Sequence, residues 1–215
     1  MDTKYHILRE KMVAEQIQSR GIENAEILKA FREVPRERFL SSYAKNSSYE
    51  DHPVSIGFGQ TISQPYIVAL MTEVLNPLKG EKILEIGTGS GYQAAILSHL
   101  GVNLYSIERL PELAKKAREI LEELGYSVKI KVDDGTLGWE KEAPFSGIIV
   151  TAASYKIPAP LFEQLGIGGR LVIPLGGELS QVLTKITKQT KERFSEEKIC
   201  GCVFVPLLGE HGFKK

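Results

Sequence analysis

The chain has 215 residues, of which 27 are Lys or Arg and 27 are Asp or Glu, so its formal net charge is zero. That balance excludes the basic field that holds nucleic-acid phosphates, and no run reaches the ~20 apolar residues of a membrane span. The two cysteines, Cys200 and Cys202, sit one residue apart in a strand-like run and read as core thiols on one face. The four histidines, His6, His52, His99 and His211, are scattered with no paired spacing, so neither a disulfide scaffold nor a metal site is expected. The N-terminus, Met1 to His6, lacks a signal peptide's apolar core, and a cytoplasmic protein is expected.

Taken in chain order, the first forty residues read as helices. Tyr5, Leu8, Met12 and Ile17 share one face, and Ile27, Leu28, Phe31 and Val34 another, until Pro35 stops the pattern. Residues 41–60 carry serines, glycines and aromatics with no period and read as an extended surface connection. The stripe Tyr66, Ile67, Leu70, Met71, Val74 and Leu75 predicts a helix capped by Ser63, with Pro65 in its first turn.

Strands and helices then alternate. Strands are expected at Lys82–Ile86, Asn103–Ile107, Ser127–Val132, Gly147–Thr151 and Arg170–Pro174, and helices at Gly91–Leu100, Glu112–Leu124 and Ala159–Leu165. Two β-rich pieces, Gln181–Thr187 and Lys198–Pro206, end the pattern. This order predicts an α/β fold: a mainly parallel sheet wound on both sides and finished by an antiparallel pair.

The chemistry concentrates at the carboxyl ends of these strands, where ligands lie in doubly wound sheets. The run Glu85-Ile86-Gly87-Thr88-Gly89-Ser90-Gly91 turns a buried strand into a loop with three alternate glycines, a form that lets backbone approach a nucleoside closely. Its second half, Gly89 to Ala94, also satisfies the dinucleotide pattern, but in that pattern the first glycine directly follows the strand, and counted from Gly87, which holds that place, the sixth position is Tyr92 and not a small residue. Glu85 suits a ligand carrying an ammonium and a sulfonium better than a pyrophosphate, which favours S-adenosylmethionine.

Glu108, about 20 residues past the glycines, stands where ribose hydroxyls are held. The turn Asp133-Asp134-Gly135 follows the next strand and could accept an adenine amino group. Thr151-Ala152-Ala153 leave room beside such a cofactor, or pack a helix tightly. Thr61-Ile62-Ser63-Gln64 offer two hydroxyls and an amide at a helix start, where free amides hold anions. No Ser/His/Asp set and no P-loop can be assigned.

Two blocks carry a family resemblance: Gly59-Gln60-Thr61-Ile62-Ser63-Gln64-Pro65, and Glu85 to Tyr92. With Tyr105-Ser106-Ile107-Glu108-Arg109, Asp134-Gly135, Gly138-Trp139, Gly168-Gly169-Arg170 and Phe204-Val205-Pro206-Leu207 in order behind them, the chain resembles the protein-L-isoaspartate (D-aspartate) O-methyltransferases over nearly its whole length. The resemblance implies a seven-stranded, Rossmann-like methyltransferase domain spanning 1–215. Residues 1–60 would form N-terminal helices and a substrate-side loop, and 61–215 the cofactor-binding core.

It implies methyl transfer from S-adenosyl-L-methionine, leaving S-adenosyl-L-homocysteine, to isoaspartyl residues of damaged proteins and peptides, by a monomer. Carried over residue by residue, it makes Ser63 catalytic and lines the isoaspartyl site with Thr61, Ile62 and Gln64. The cofactor would lie against Glu85, Gly87, Thr88, Gly89, Ser90 and Gly91, with Glu108 on the ribose and Asp134 and Gly135 on the adenine. Asp133 departs from the family, which often has glycine there, and adds a negative charge.

Overall fold

The computed structural model describes residues 3–214; Met1 and Asp2, on which part of the N-terminal reading rests, and Lys215 lie outside them. Helix α1 (Thr3–Met12) continues through a π-helical turn at Val13–Ile17 and a 3-10 turn at Gln18–Arg20, and Gly21 ends it with a φ of 93°. Helix α2 (Ala25–Glu33) starts at Asn24, whose side chain accepts the amides of Glu26 and Ile27. Val34, extended ahead of Pro35, stops it.

The segment 41–60 holds more order than expected. After a 3-10 turn at Lys45–Ser47 it forms the hairpin of β1 (Val54–Gly57) and β2 (Gln60–Ile62), closed through positive φ at Gly57, Phe58 and Gly59. Strands of four and three residues are too short to show a period.

Helix α3 (Pro65–Leu75) begins with Pro65 in its first turn, but its N-cap is Gln64 and not Ser63. A proline in the first helical position puts the cap directly before it. Ser63 lies one residue outside the helix, and its carbonyl is taken by Arg36 at 2.7 Å.

The alternating pattern follows: β3 (Lys82–Ile86), α4 (Tyr92–His99), β4 (Asn103–Glu108), α5 (Pro111–Glu123), β5 (Val128–Val132), β6 (Phe145–Val150), α6 (Ala159–Gln164), β7 (Leu165–Gly176), β8 (Gln181–Lys188) and β9 (Phe194–Cys202). The last seven strands form one sheet in the order β5-β4-β3-β6-β7-β8-β9, parallel through β7 and antiparallel at β8 and β9. This is the Rossmann-like methyltransferase arrangement.

Two strands differ from expectation. β7 starts five residues early, because the chain pairs Phe145 with Leu165, slips register across the glycines, and pairs again from Arg170. β9 lies earlier and stops at Cys202. Val203–Pro206 leave it and return to the carboxyl ends of the parallel strands, where Pro206 bridges to Ala153.

Period-two alternation explains both layers. Ile83, Leu104, Ile149 and Val172 face one cluster with α2, α3, α4 and α5, while Leu84, Tyr105, Ile148 and Leu171 face the other with α6. Arg170 ties the amino ends together, reaching Glu81 at 2.5 and 3.1 Å and the carbonyl of Leu75 at 2.9 Å. Cys200 and Cys202 are free and half-buried on the edge strand. Among the described residues no helix is long and apolar enough to cross a membrane.

Candidate active site

A cleft opens over the carboxyl ends of β3, β4 and β6. Gln60, Thr61, Ile62 and Ser63 wall one side, the loop from Gly87 to Ser90 forms the floor, and Val205–Leu208 close the far side. A second cavity, lined by Arg20, Gln64, Tyr66, Cys202 and Phe204 among others, lies alongside. The two share Thr61, Ser63, Thr151 and Val205.

The three glycines do different work. Each has positive φ, at 94°, 54° and 90° for Gly87, Gly89 and Gly91. A Cβ at Gly87 would overlap the hydroxyl of Thr151, which donates to the carbonyls of Ile86 and Gly87 at 3.0 and 2.8 Å. A Cβ at Gly91 would press on Ala117 and Leu121 at 3.3 Å, so that glycine serves the packing of α4 on α5 and does not line the cleft. Gly89 alone is open, meeting only Ile56 at 3.7 Å.

Glu108, 6 % exposed, lines the cleft, and its carboxylate accepts the amides of Gly89 at 2.9 Å and Leu110 at 3.0 Å. A carboxylate offers about four lone-pair positions, so two stay free for a pair of ligand hydroxyls. These free acceptor positions, with the open backbone at Gly89, fit a ribose over the glycine loop.

Glu85 departs from expectation. It is fully buried behind the loop and is not part of the cleft wall. Ser106 donates to it at 2.5 Å and shares a 2.6 Å hydrogen bond with Thr88, while the other carboxylate oxygen of Glu85 has no partner. Burial, aided by the charge of Glu108 and opposed by the Ser106 hydrogen bond, pushes its carboxyl up to about 8. A neutral acid here braces the loop from beneath and offers a cation little charge.

Asp134 also stands back. Its carboxylate accepts the amide and hydroxyl of Thr136 at 2.8 and 2.7 Å and the amide of Glu210 at 2.7 Å, while Gly135 reaches the cleft. Asp133 is turned to Lys131 instead. Of the residues expected to bind substrate, Thr61 and Ser63 line both cavities, Ile62 the cleft and Gln64 the neighbouring cavity.

Gln93, Tyr92, Arg109 and Met71 also line the cleft and were not anticipated. The first two directly follow the glycines, and that adjacency is the signal that could have found them.

A family model described as protein-L-isoaspartate(D-aspartate) O-methyltransferase matches residues 8–212. A protein-L-isoaspartate O-methyltransferase of Syntrophotalea carbinolica is 50 % identical over 210 residues, 97 % of each chain. A solved protein-L-isoaspartate O-methyltransferase superposes with a TM-score of 0.85 at 32 % identity, covering 94 % of this chain and 66 % of that one. Another, from Plasmodium falciparum in complex with S-adenosyl-L-homocysteine, gives 0.80 at 25 % identity over 95 % and 98 % of the two chains. The glycine loop, the hairpin wall and the returning tail thus lie in a chain that belongs to the protein-L-isoaspartate (D-aspartate) O-methyltransferase family.

Proposed function

We infer that this protein transfers the methyl group of S-adenosyl-L-methionine to the α-carboxylate of L-isoaspartyl residues in damaged proteins and peptides. The ester then closes to a succinimide off the enzyme, which makes the reaction a repair step. The observation that carries the reading is the shared wall: Thr61 and Ser63 border both the cofactor cleft and the neighbouring cavity. A substrate in one cavity reaches a cofactor in the other past these two hydroxyls.

When bound, the cofactor supplies a methyl group on a sulfonium and leaves as S-adenosyl-L-homocysteine. Glu108 would hold its ribose, and Gly87 to Ser90 would pass beneath its methionine part. The acceptor is a carboxylate, ionised at neutral pH with a pKa of about 4, so no general base is needed. What the chain must supply is position.

Ser63 stands at the start of α3, where the first amides of the helix have no partner within it, and a hydroxyl there would hold the substrate carboxylate. Thr61, Ile62 and Gln64 would line the isoaspartyl site around it. Gly135 would border the adenine, with Asp134 acting through the tail it holds. We also propose that residues 1–215 work as one domain, as a monomer, in the cytoplasm.

Two peptides identical except for isoaspartate or aspartate at one position test the reading. Base-labile label from labelled cofactor on the isoaspartyl peptide alone is expected; label on neither, with cofactor still bound, would overturn it.

A further inference from the structure

Among the described residues Arg36 is the largest fully buried side chain, with no exposed surface. It stands in the 3-10 turn Arg36–Phe39 behind Pro35, in the N-terminal layer, far in sequence from both halves of the site. A buried guanidinium is costly unless its hydrogen bonds are met. Here no carboxylate answers it: the groups acting on its charge are Tyr92 and Tyr49, and burial brings it down only to about 10, so it stays a cation at neutral pH. Its neighbour Glu37 is engaged elsewhere, by Arg9 and Tyr49.

The contacts of Arg36 span the site. Nε donates to the carbonyl of Ser48 and one terminal nitrogen to the carbonyl of Ser63, both at 2.7 Å. The guanidinium lies 4.8 Å from the ring centre of Tyr92, a cation–π geometry. Tyr92 is the first residue of α4, directly after the glycine loop, and it lines the cofactor cleft. Phe31 and Phe39 hold the same ring edge-on at 6.0 and 5.5 Å. One side chain therefore grips the backbone of Ser63 on the substrate side and rests on the ring that opens the cofactor helix.

We propose that Arg36 is a positioning residue for methyl transfer, fixing the Ser63 hydroxyl relative to the cofactor by holding the Ser63 carbonyl against the Tyr92 ring. The proposal rests on the reading of Ser63 given above. With its carbonyl tethered, the Ser63–Gln64 peptide cannot rotate, and the side chain of Ser63 leaves the backbone in one direction. An untethered peptide ahead of Pro65 would let that hydroxyl drift by the ~1 Å that costs on the order of 10²-fold in rate.

A double-mutant cycle with the full chain tests this. Arg36→Met, which keeps bulk but loses charge and both donors, is expected to lower kcat on an isoaspartyl peptide by about 30-fold, with the Kd for S-adenosyl-L-homocysteine moved less than about 3-fold. Arg36→Lys, which keeps the charge and can reach one carbonyl, should recover part of the loss; if the methionine variant does not fold, the lysine variant carries the same cycle. In the Ser63→Ala background either change should cost kcat less than about 2-fold more, because the hydroxyl being positioned is gone.

Additive losses would mean that Arg36 acts on the fold at large and would overturn the proposal, as would full kcat in both arginine variants. Full kcat in Ser63→Ala would instead remove the Ser63 reading on which the proposal stands.

Discussion

Gly209 lies against the carboxylate of Asp134 with no room for a side-chain carbon between them. The next residue, Glu210, donates its amide to the same carboxylate at 2.7 Å, and His211 donates its amide to Thr136 at 3.1 Å. The tail is thus fastened, through backbone, to the turn that follows β5. Gly209→Ala must push that clasp open. One charge-assisted hydrogen bond is worth roughly 1.5–3 kcal/mol, so cofactor affinity should fall about 10-fold or more. Calorimetric titration with S-adenosyl-L-homocysteine measures this; an unchanged Kd would detach the tail from the cofactor site.

Ser63→Ala should reduce kcat about 10²-fold by removing the hydroxyl between the two cavities. Cofactor affinity should stay within about 3-fold, because the cleft keeps Glu108 and the glycine loop. Single-turnover methyl transfer alongside a binding titration separates the two. A proportional loss of affinity would move Ser63 to the cofactor side.

Gly89→Val should abolish measurable cofactor binding. Its φ of 54° costs an L-residue ~1–2 kcal/mol, and the branched side chain would stand over the loop where the backbone is otherwise open. By contrast, Gly91→Ala strikes the α4–α5 contact, so its first effect should be on the melting temperature. Comparing Kd with melting temperature for the two variants distinguishes a ligand glycine from a packing glycine.

Buried Glu85 gives the protein a pH dependence of unusual sign. Its carboxyl is raised from the ordinary 4.5 to about 8 in the folded state. Below pH 4.5 both folded and unfolded chains hold the proton. As pH rises from there to about 8 only the unfolded chain releases it, so this group's contribution to stability falls, by up to ~1.4 kcal/mol per pH unit, and then levels off. Glu85→Gln mimics the protonated acid and should abolish this fall, leaving the variant more stable relative to the parent at pH 8 than at pH 5. Urea denaturation at the two pH values measures it; parallel stabilities would show that Glu85 keeps its charge when folded.

The parallel strands and the glycine loop were legible because their signals are local: apolar runs, glycines at fixed spacing and acids at strand ends. What the sequence concealed depends on neighbours distant in the chain. Glu85 and Glu108 are both acids ending strands, yet one is sealed under the loop and the other faces the cleft. Gly89 and Gly91 look equivalent, and only the approach of α5 separates them.

The expected elements leave 166–169 between a helix ending at Leu165 and a strand starting at Arg170, whereas β7 passes through them with a register slip. Arg36, in the run Val34-Pro35-Arg36-Glu37, looks like any surface arginine. Nothing local says that the carbonyls of Ser48 and Ser63 and the ring of Tyr92 will meet it.

The return of Val205–Leu208 to the cleft makes one wall of the site depend on chain order. All seven strands of the sheet precede these residues, and the floor, the hairpin wall and Glu108 are already synthesised when Cys202 ends the edge strand. A chain ending there would hold every strand of the sheet and lack one wall of the cleft. That wall is therefore laid down only after every strand that supports it.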